Sequence, residues 1–226
     1  MDFIIISVGN EILSGDIVNT NSAYIAKKLT QSGHRVLKMV TIPDEVEVIA
    51  EEVANASKNA EFVLVTGGLG VTHDDVTTEG IAKATKRELV INKDVYSFLK
   101  TRMKSEEAMK KMATLPEGSE AINNLVGAAP GFIVNNIAVM PGVPAEMEYI
   151  MEKLLERYGS ADYFEERVMV EGFEDRIVKK LNSVVEEFKD VNIGSYPKSG
   201  HIIIKFSGKD KERVKKARKK FQSLIR

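Results

Sequence analysis

The chain has 226 residues, enough for one large domain or a medium one with a small appendage. Hydrophobic residues make up 43% and charged residues 29%, with only 16 Gly and 6 Pro, which excludes collagen-like, mucin-like and disordered chains. Cysteine is absent, so disulfides, thiolate nucleophiles, Cys-ligated zinc and iron–sulfur clusters are excluded together, and a reducing compartment fits.

The apolar run at 3–8 is too short to span a bilayer and has no basic leader, so the chain reads as cytoplasmic, with no membrane partner. The net charge of −1 hides an asymmetry. Positions 209–226 carry nine Lys or Arg against Asp210 and Glu212, which is +7, leaving −8 on positions 1–208. Val214, Ala217, Phe221 and Leu224 recur there at helical spacing, so an amphipathic helix with a solvated basic face explains the charge without nucleic acid.

In chain order, the β-branched run at 3–8 predicts a strand covered on both faces. After a polar loop, Asn21 is positioned to cap a helix over 22–31, stopped by Gly33. A strand over 35–40, a helix over 45–57 opened by Pro43 and Asp44, and a strand over 62–66 follow. Helices are expected over 77–86, 94–103 and 106–112, then a turn at 116–118, a hairpin of 132–134 and 137–140 around Asn135 and Asn136, and a helix from Pro144 to about 158. From about 163 the order becomes strand (167–171), helix (174–188), strand (191–196), strand (201–206) and the terminal helix; His34 and His201 fall in expected strands with no visible site. The alternation at the start implies a parallel sheet with right-handed crossovers. The expected fold is therefore α/β, a three-layer α/β/α sandwich over 1–160 with a mostly parallel sheet, followed by a small βαββα domain over 161–226.

In such a sheet, ligands sit beyond the carboxyl ends of the strands, so the segments that follow strands are informative. Four stand out: the stretch from Gly9 through Glu11, Asp16, Asn19 and Asn21; Pro43 and Asp44; the run from Gly67 to Asp75; and Pro141 to Glu146. All four are expected at one edge. Gly67, Gly68 and Gly70 lack a Cβ and let amides approach an anion, with a helix N-terminus behind them, which describes a phosphate cradle. No Lys-Ser/Thr pair follows, and the first loop lacks the GxGxxG spacing, so Walker and Rossmann readings both weaken.

Glu11, Asp16, Asp44, Asp74, Asp75 and Glu146 would gather at this phosphate edge with no Lys or Arg in the loops. A divalent ion between carboxylates and phosphate resolves the repulsion. Asp74 and Asp75 are the expected ligands, although Asp75 is also placed to cap the next helix, and His73 is either a further ligand or simply exposed. Glu11 is the candidate base, or else an acceptor of backbone amides. Asn19 and Asn21 are candidate contacts to a sugar or base.

The motifs GNEILSGDIVNTNSAYIAKKL, TGGLGVTHDDVT and GAAPGFIV followed by MPGVPAEM resemble the N-terminal domain of the competence/damage-inducible CinA proteins, relatives of the molybdopterin-binding MogA/MoaB domain. The resemblance spans positions 1–158, and the βαββα tail, with Gly194-Ser195-Tyr196-Pro197, resembles the small domain that follows in those proteins. Val71 stands where the family usually has Pro, and Leu69 favours the CinA branch over the molybdenum-cofactor branch. The nicotinamide-nucleotide amidase domain of many relatives would begin beyond position 226, so deamidation is not expected. The resemblance implies a divalent-metal-dependent (Mg²⁺, Mn²⁺ or Co²⁺) pyrophosphatase acting on ADP-ribose or a related nucleoside diphosphate compound, with FAD as another substrate. Glu11 and Asp75 would be catalytic and Asp74 and Asp75 would hold metal; Gly9, Asn19, Asp44, Gly67, Gly68, Leu69, Gly70, Thr72, Gly142, Pro144 and Glu146 would surround the substrate. The rival readings are a molybdopterin-binding or adenylylating protein and a non-catalytic nucleotide binder. The expected partner is thus a nucleotide or pterin, with a homo-oligomer expected by analogy and no nucleic acid, since no GxxG clamp lies in the tail.

Overall fold

The first strand, β1 (Asp2–Val8), is apolar on both faces because both are covered. Phe3 and Ile5 point into one cluster and Ile4, Ile6 and Val8 into another. The computed structural model describes residues 1–225; Arg226, which ends both the expected terminal helix and the expected small domain, lies outside the described residues. Contacts divide the chain into two units, one of residues 1–30 with 34–159 and one of residues 31–33 with the chain from Ser160 onward.

In the first unit β1 is followed by a helical turn, α1 (Asn10–Leu13), and by α2 (Thr20–Gln31), β2 (Arg35–Ile42), α3 (Val46–Asn59), β3 (Phe62–Thr66) and α4 (Thr77–Thr85). An excursion then adds β4 (Leu89–Ile91), α5 (Lys93–Leu99), α6 (Glu106–Ala113) and β5 (Thr114–Pro116). The chain returns through β6 (Glu120–Ile122), the hairpin β7 (Gly131–Val134) and β8 (Ile137–Met140), and α7 (Pro144–Tyr158). The six-stranded sheet runs β2-β1-β3-β8-β7-β6. β2, β1, β3 and β8 are mutually parallel, and β7 is antiparallel to its neighbours. Ile49 and Val53 of α3 and Ile81 of α4 cover one face, and Ile25 and Leu29 of α2 with Met147, Ile150 and Leu154 of α7 cover the other. Each of these side chains contributes about 1.5–3 kcal/mol on leaving water, and together they fix the α/β/α layering.

The second unit contains β9 (Phe164–Glu171), a 3-10 turn (Glu174–Arg176), α8 (Val178–Glu187), β10 (Asn192–Lys198), β11 (His201–Gly208) and α9 (Lys211–Ile225). Its antiparallel sheet runs β10-β11-β9. Phe206, Phe221 and Val184 are fully buried in its own core.

Several expectations need correction. The polar loop after β1 contains a helical turn. The helix expected from 22 starts at Thr20, because the side chain of Asn19, not Asn21, accepts the amide of Ser22 at 3.0 Å. The helix expected over 94–103 ends at Leu99, and the one expected over 174–188 opens as a separate 3-10 turn. His34 lies just before β2 rather than in it. β4 and β5 escaped notice because they are three-residue strands that pair only with each other.

Candidate functional site

Because β1, β2, β3 and β8 are parallel, the segments leaving Val8, Ile42, Thr66 and Met140 emerge at one edge. There they line a cleft of about 610 Å³, within the size range of small-molecule sites. Among the expected residues, Glu11, Asn19, Asp44, Gly67, Gly68, Leu69, Gly70, Asp74, Asp75, Gly142, Pro144 and Glu146 line it.

The floor is a polar seam at the strand ends. Ser7 and Thr66 face each other in the β1–β3 register and are 0% and 2% exposed. Ser7 Oγ lies 2.7 Å from Ser22 Oγ, and Thr66 Oγ1 donates to the carbonyl of Pro141 at 2.8 Å. Asn19 accepts from Ser22 and Ser7 and donates to Thr41 at 3.2 Å, so its side chain serves α2 and β2 rather than standing free for a ligand. Asn21 reverses that role. Its Nδ2 donates to Thr66 Oγ1 at 3.3 Å and to Gly142 O at 2.8 Å, while its buried Oδ1 has no protein partner.

The glycine loop forms one wall. The Gly67 amide is committed to Met140 O at 3.1 Å, which removes it from the expected cradle. The amides of Gly68, Leu69 and Gly70 carry no such bond among the described residues. Gly68 has φ of +64°, and a Cβ there would stand 2.2 Å from Thr77 Oγ1, so the chain turns here only with glycine. α2 and α7 begin in the cleft wall and α4 begins behind the loop, where the Thr77 amide bonds Gly68 O at 3.2 Å. Three helix N-termini thus bring positive ends to the same region.

Thr72 does not line the cleft. It organises the acids: its amide donates to Asp75 Oδ2 at 2.8 Å, and its hydroxyl, with one proton to share, lies within hydrogen-bond distance of both Asp75 Oδ2 (2.6 Å) and Asp74 Oδ1. The hydroxyl bond from Thr72, with the backbone amide of Asp74 itself, holds the Asp74 carboxyl below its usual range. Asp75 does not cap α4, whose cap residue is Val76 and has no side-chain bond. Gly9 likewise stays out of the cleft; a Cβ there would lie 2.6 Å from Glu11 Oε1, so its role is to admit the Glu11 carboxylate. Asp44 accepts the amide of Asn10 at 2.7 Å and so fixes the start of α1. Asp16 bonds Ser14 at 2.6 Å away from the lining, and His73 is an exposed side chain 3.9 Å from Asp74.

Among the described residues no group of three or more His, Asp or Glu is placed to hold a metal ion. The donor set is two adjacent carboxylates. That suits a hard cation which completes its shell with water and substrate oxygens, and it does not suit a closed zinc-type centre.

A further segment, 124–129, borders the cleft from outside the four strand-end loops and was not foreseen from the sequence. Asn124 is fully buried, accepts the amides of Val126 and Gly127 at 3.0 Å each, and donates to Ala129 O and to Glu146. Burial pushes the Glu146 carboxyl above its usual range, against the lowering bond from Asn124. The available signal was the GAAPGFIV motif itself, which brings Ala128 and Ala129 into the cleft. Ile17, Val18 and Val143, also unforeseen, are exposed apolar residues on the lining.

Residues 4–159 match the family described as the probable molybdopterin binding domain, and residues 162–226 match the middle domain of FAD synthase. The chain belongs to the probable molybdopterin binding domain family and, within it, groups with CinA proteins. A protein of Archaeoglobus fulgidus is 65% identical over 225 residues, covering 100% of this chain and 98% of that one. The CinA-like protein of Thermosipho melanesiensis is 35% identical over 93% of this chain, which spans only 55% of that relative's length. The crystal structure of the protein CinA, of unknown function, from Thermoplasma acidophilum aligns with TM-score 0.64 at 35% identity over 70% of this chain and 96% of that one. The CinA resemblance drawn from the motifs and the α/β fold both stand on these matches. Among the described residues no helix is long and apolar enough to cross a membrane.

Proposed function

We propose that the protein is a divalent-metal-dependent pyrophosphatase that hydrolyses ADP-ribose or a related nucleoside diphosphate compound, FAD included, to AMP and a phosphorylated product. The observation that carries this reading is the meeting, in one cleft, of the amides of Gly68, Leu69 and Gly70 with the carboxylates of Asp74 and Asp75. A divalent cation held by Asp74 and Asp75 would neutralise the diphosphate and acidify a water. The loop amides would hold the diphosphate oxygens and stabilise charge that grows as the water oxygen attacks phosphorus. The P–O–P bridge breaks, the departing phosphate keeps the bridging oxygen, and Glu11, on the same lining, accepts the water proton. Asn21 Oδ1, buried and unpartnered, would accept a ribose hydroxyl, and Ile17, Val18 and Val143 would flank a ring system.

A second reading, molybdopterin binding, is favoured by the family matched over residues 4–159. The same cleft would then hold a pterin phosphate without turnover. Incubation of purified protein with ADP-ribose and Mg²⁺, Mn²⁺ or Co²⁺, with AMP followed by chromatography, separates the two. AMP release supports hydrolysis; no AMP with any metal, alongside tight pterin retention, supports the second reading.

A further inference from the structure

α6 brings a cation to a site whose own loops contain none. Lys111 donates its ammonium to the carbonyl oxygen of Thr72, the residue whose amide and hydroxyl hold Asp74 and Asp75. Every polar group of Thr72 is therefore engaged: its amide and hydroxyl toward the acids, and its carbonyl toward both the Asp75 amide at 3.3 Å and Lys111 of α6. Lys111 also lines a second, smaller cavity of about 190 Å³ behind the glycine loop, where Gly68, Leu69, Gly70 and Asp75 recur from the main cleft. Among the described residues lining either cavity, Lys111 is the only Lys or Arg.

The neighbouring Lys110 has an ordinary helical partner in Glu106 at 2.8 Å. Lys111 has no carboxylate within salt-bridge distance among the described residues, although Asp75 and Glu79 line the same cavity. It is anchored to a carbonyl instead. A charge-assisted bond to a backbone carbonyl restrains the loop carrying that carbonyl, and here that loop carries the acid pair.

We propose that Lys111 is a positioning residue: through Thr72 it holds the Asp74–Asp75 loop in its cation-binding form before substrate arrives. The inference rests on the metal role given to Asp74 and Asp75 above. It opposes the simple electrostatic expectation, in which removing a positive charge beside two carboxylates tightens cation binding. Loss of a restraint weakens it, so the sign of the effect distinguishes the two.

The test is a Mn²⁺ titration of the nucleotide-free protein by calorimetry, with Lys111→Met and Lys111→Arg beside the parent. The expected result is that Lys111→Met weakens Mn²⁺ binding by about tenfold, as loss of a charged hydrogen bond suggests, while Lys111→Arg restores most of it. Unfolding temperatures measured without metal show that both variants fold. Unchanged or tighter Mn²⁺ binding in Lys111→Met overturns the inference. So does equal weakening in Lys111→Arg, which assigns the effect to packing of α6. Parent protein that binds no Mn²⁺ sinks the metal role of the acid pair itself, and with it this inference.

Discussion

Asn21, in the first turn of α2, donates its side-chain amide to the carbonyl oxygen of Gly142 at 2.8 Å, across 121 positions of sequence. The same amide reaches Thr66 Oγ1, so one side chain ties together the ends of β3 and β8 and the start of α2. The start of α2 and the segment leaving β8 are thus joined at the cleft by hydrogen bonds, in addition to the apolar packing of α2 and α7 below it.

Asn21→Ala removes two bonds from a part-buried position. Thermal unfolding should report a loss of about 1–2 kcal/mol, the net worth of such bonds. If Oδ1 also accepts from the ligand, KM for ADP-ribose rises. A variant with unchanged unfolding temperature and unchanged KM contradicts the role given to this residue.

Gly70 and Gly68 separate chemistry from folding. A Cβ at Gly70 would lie 2.4 Å from Asp75 Oδ2, the end of a side chain that can swing away, whereas at Gly68 it meets Thr77 Oγ1 in a left-handed backbone. Gly70→Ala should keep the unfolding temperature within a few degrees and lose most turnover and Mn²⁺ affinity. Gly68→Ala should lower stability by about 1–3 kcal/mol, the cost of a non-glycine residue in that conformation. Equal stability losses in the two variants would contradict this assignment.

Burial raises the carboxyl pKa of Glu146, so its ionised form weakens the fold at every pH above the shifted value, and stability improves as pH falls toward the unfolded value near 4.5. Glu146→Gln should therefore raise the unfolding temperature at neutral pH while keeping an acceptor for Asn124. Asn124→Ala, which removes the fully buried side chain that accepts the part-buried amides of Val126 and Gly127 and donates to Ala129 O, should destabilise by about 1–3 kcal/mol. Comparing both variants at pH 5 and pH 7.5 checks the sign: the gain from Glu146→Gln shrinks at the lower pH.

His34 behaves in the opposite sense. It is 7% exposed, its Nε2 lies 3.0 Å from Gly159 O, and its buried Nδ1 has no partner. Burial lowers its pKa below the usual 6.5, with the Gly159 bond acting the other way. The stability of the neutral imidazole is present above about 6.5 and is lost as pH falls toward the depressed folded value. Denaturant titrations between pH 7.5 and pH 5 should show that loss, and His34→Gln should remove this residue's share of it. A slope unchanged by the substitution refutes the assignment.

The central β/α order was legible because strands covered on both faces leave uninterrupted apolar runs, as at residues 62–66, and because Pro144 marks a helix start. The three-residue strands β4, β5 and β6 leave too little pattern to read. In the cleft, the glycines and acids were visible as loop motifs at strand ends. The exchange of roles between Asn19 and Asn21 was not, since both are good cap residues two positions apart and only the backbone decides which one caps. Lys111 and Asn124 stayed hidden because each reaches the site from outside the four strand-end loops.

The central claim is that a cation lets a diphosphate share the cleft with Asp74 and Asp75. Calorimetric binding of a non-hydrolysable methylene analogue of ADP-ribose, with and without Mn²⁺, tests it most directly. The account predicts that affinity rises at least tenfold with Mn²⁺ and that this gain disappears in Asp74→Asn/Asp75→Asn. Equal affinity with and without the cation, in protein shown to be folded, would contradict it.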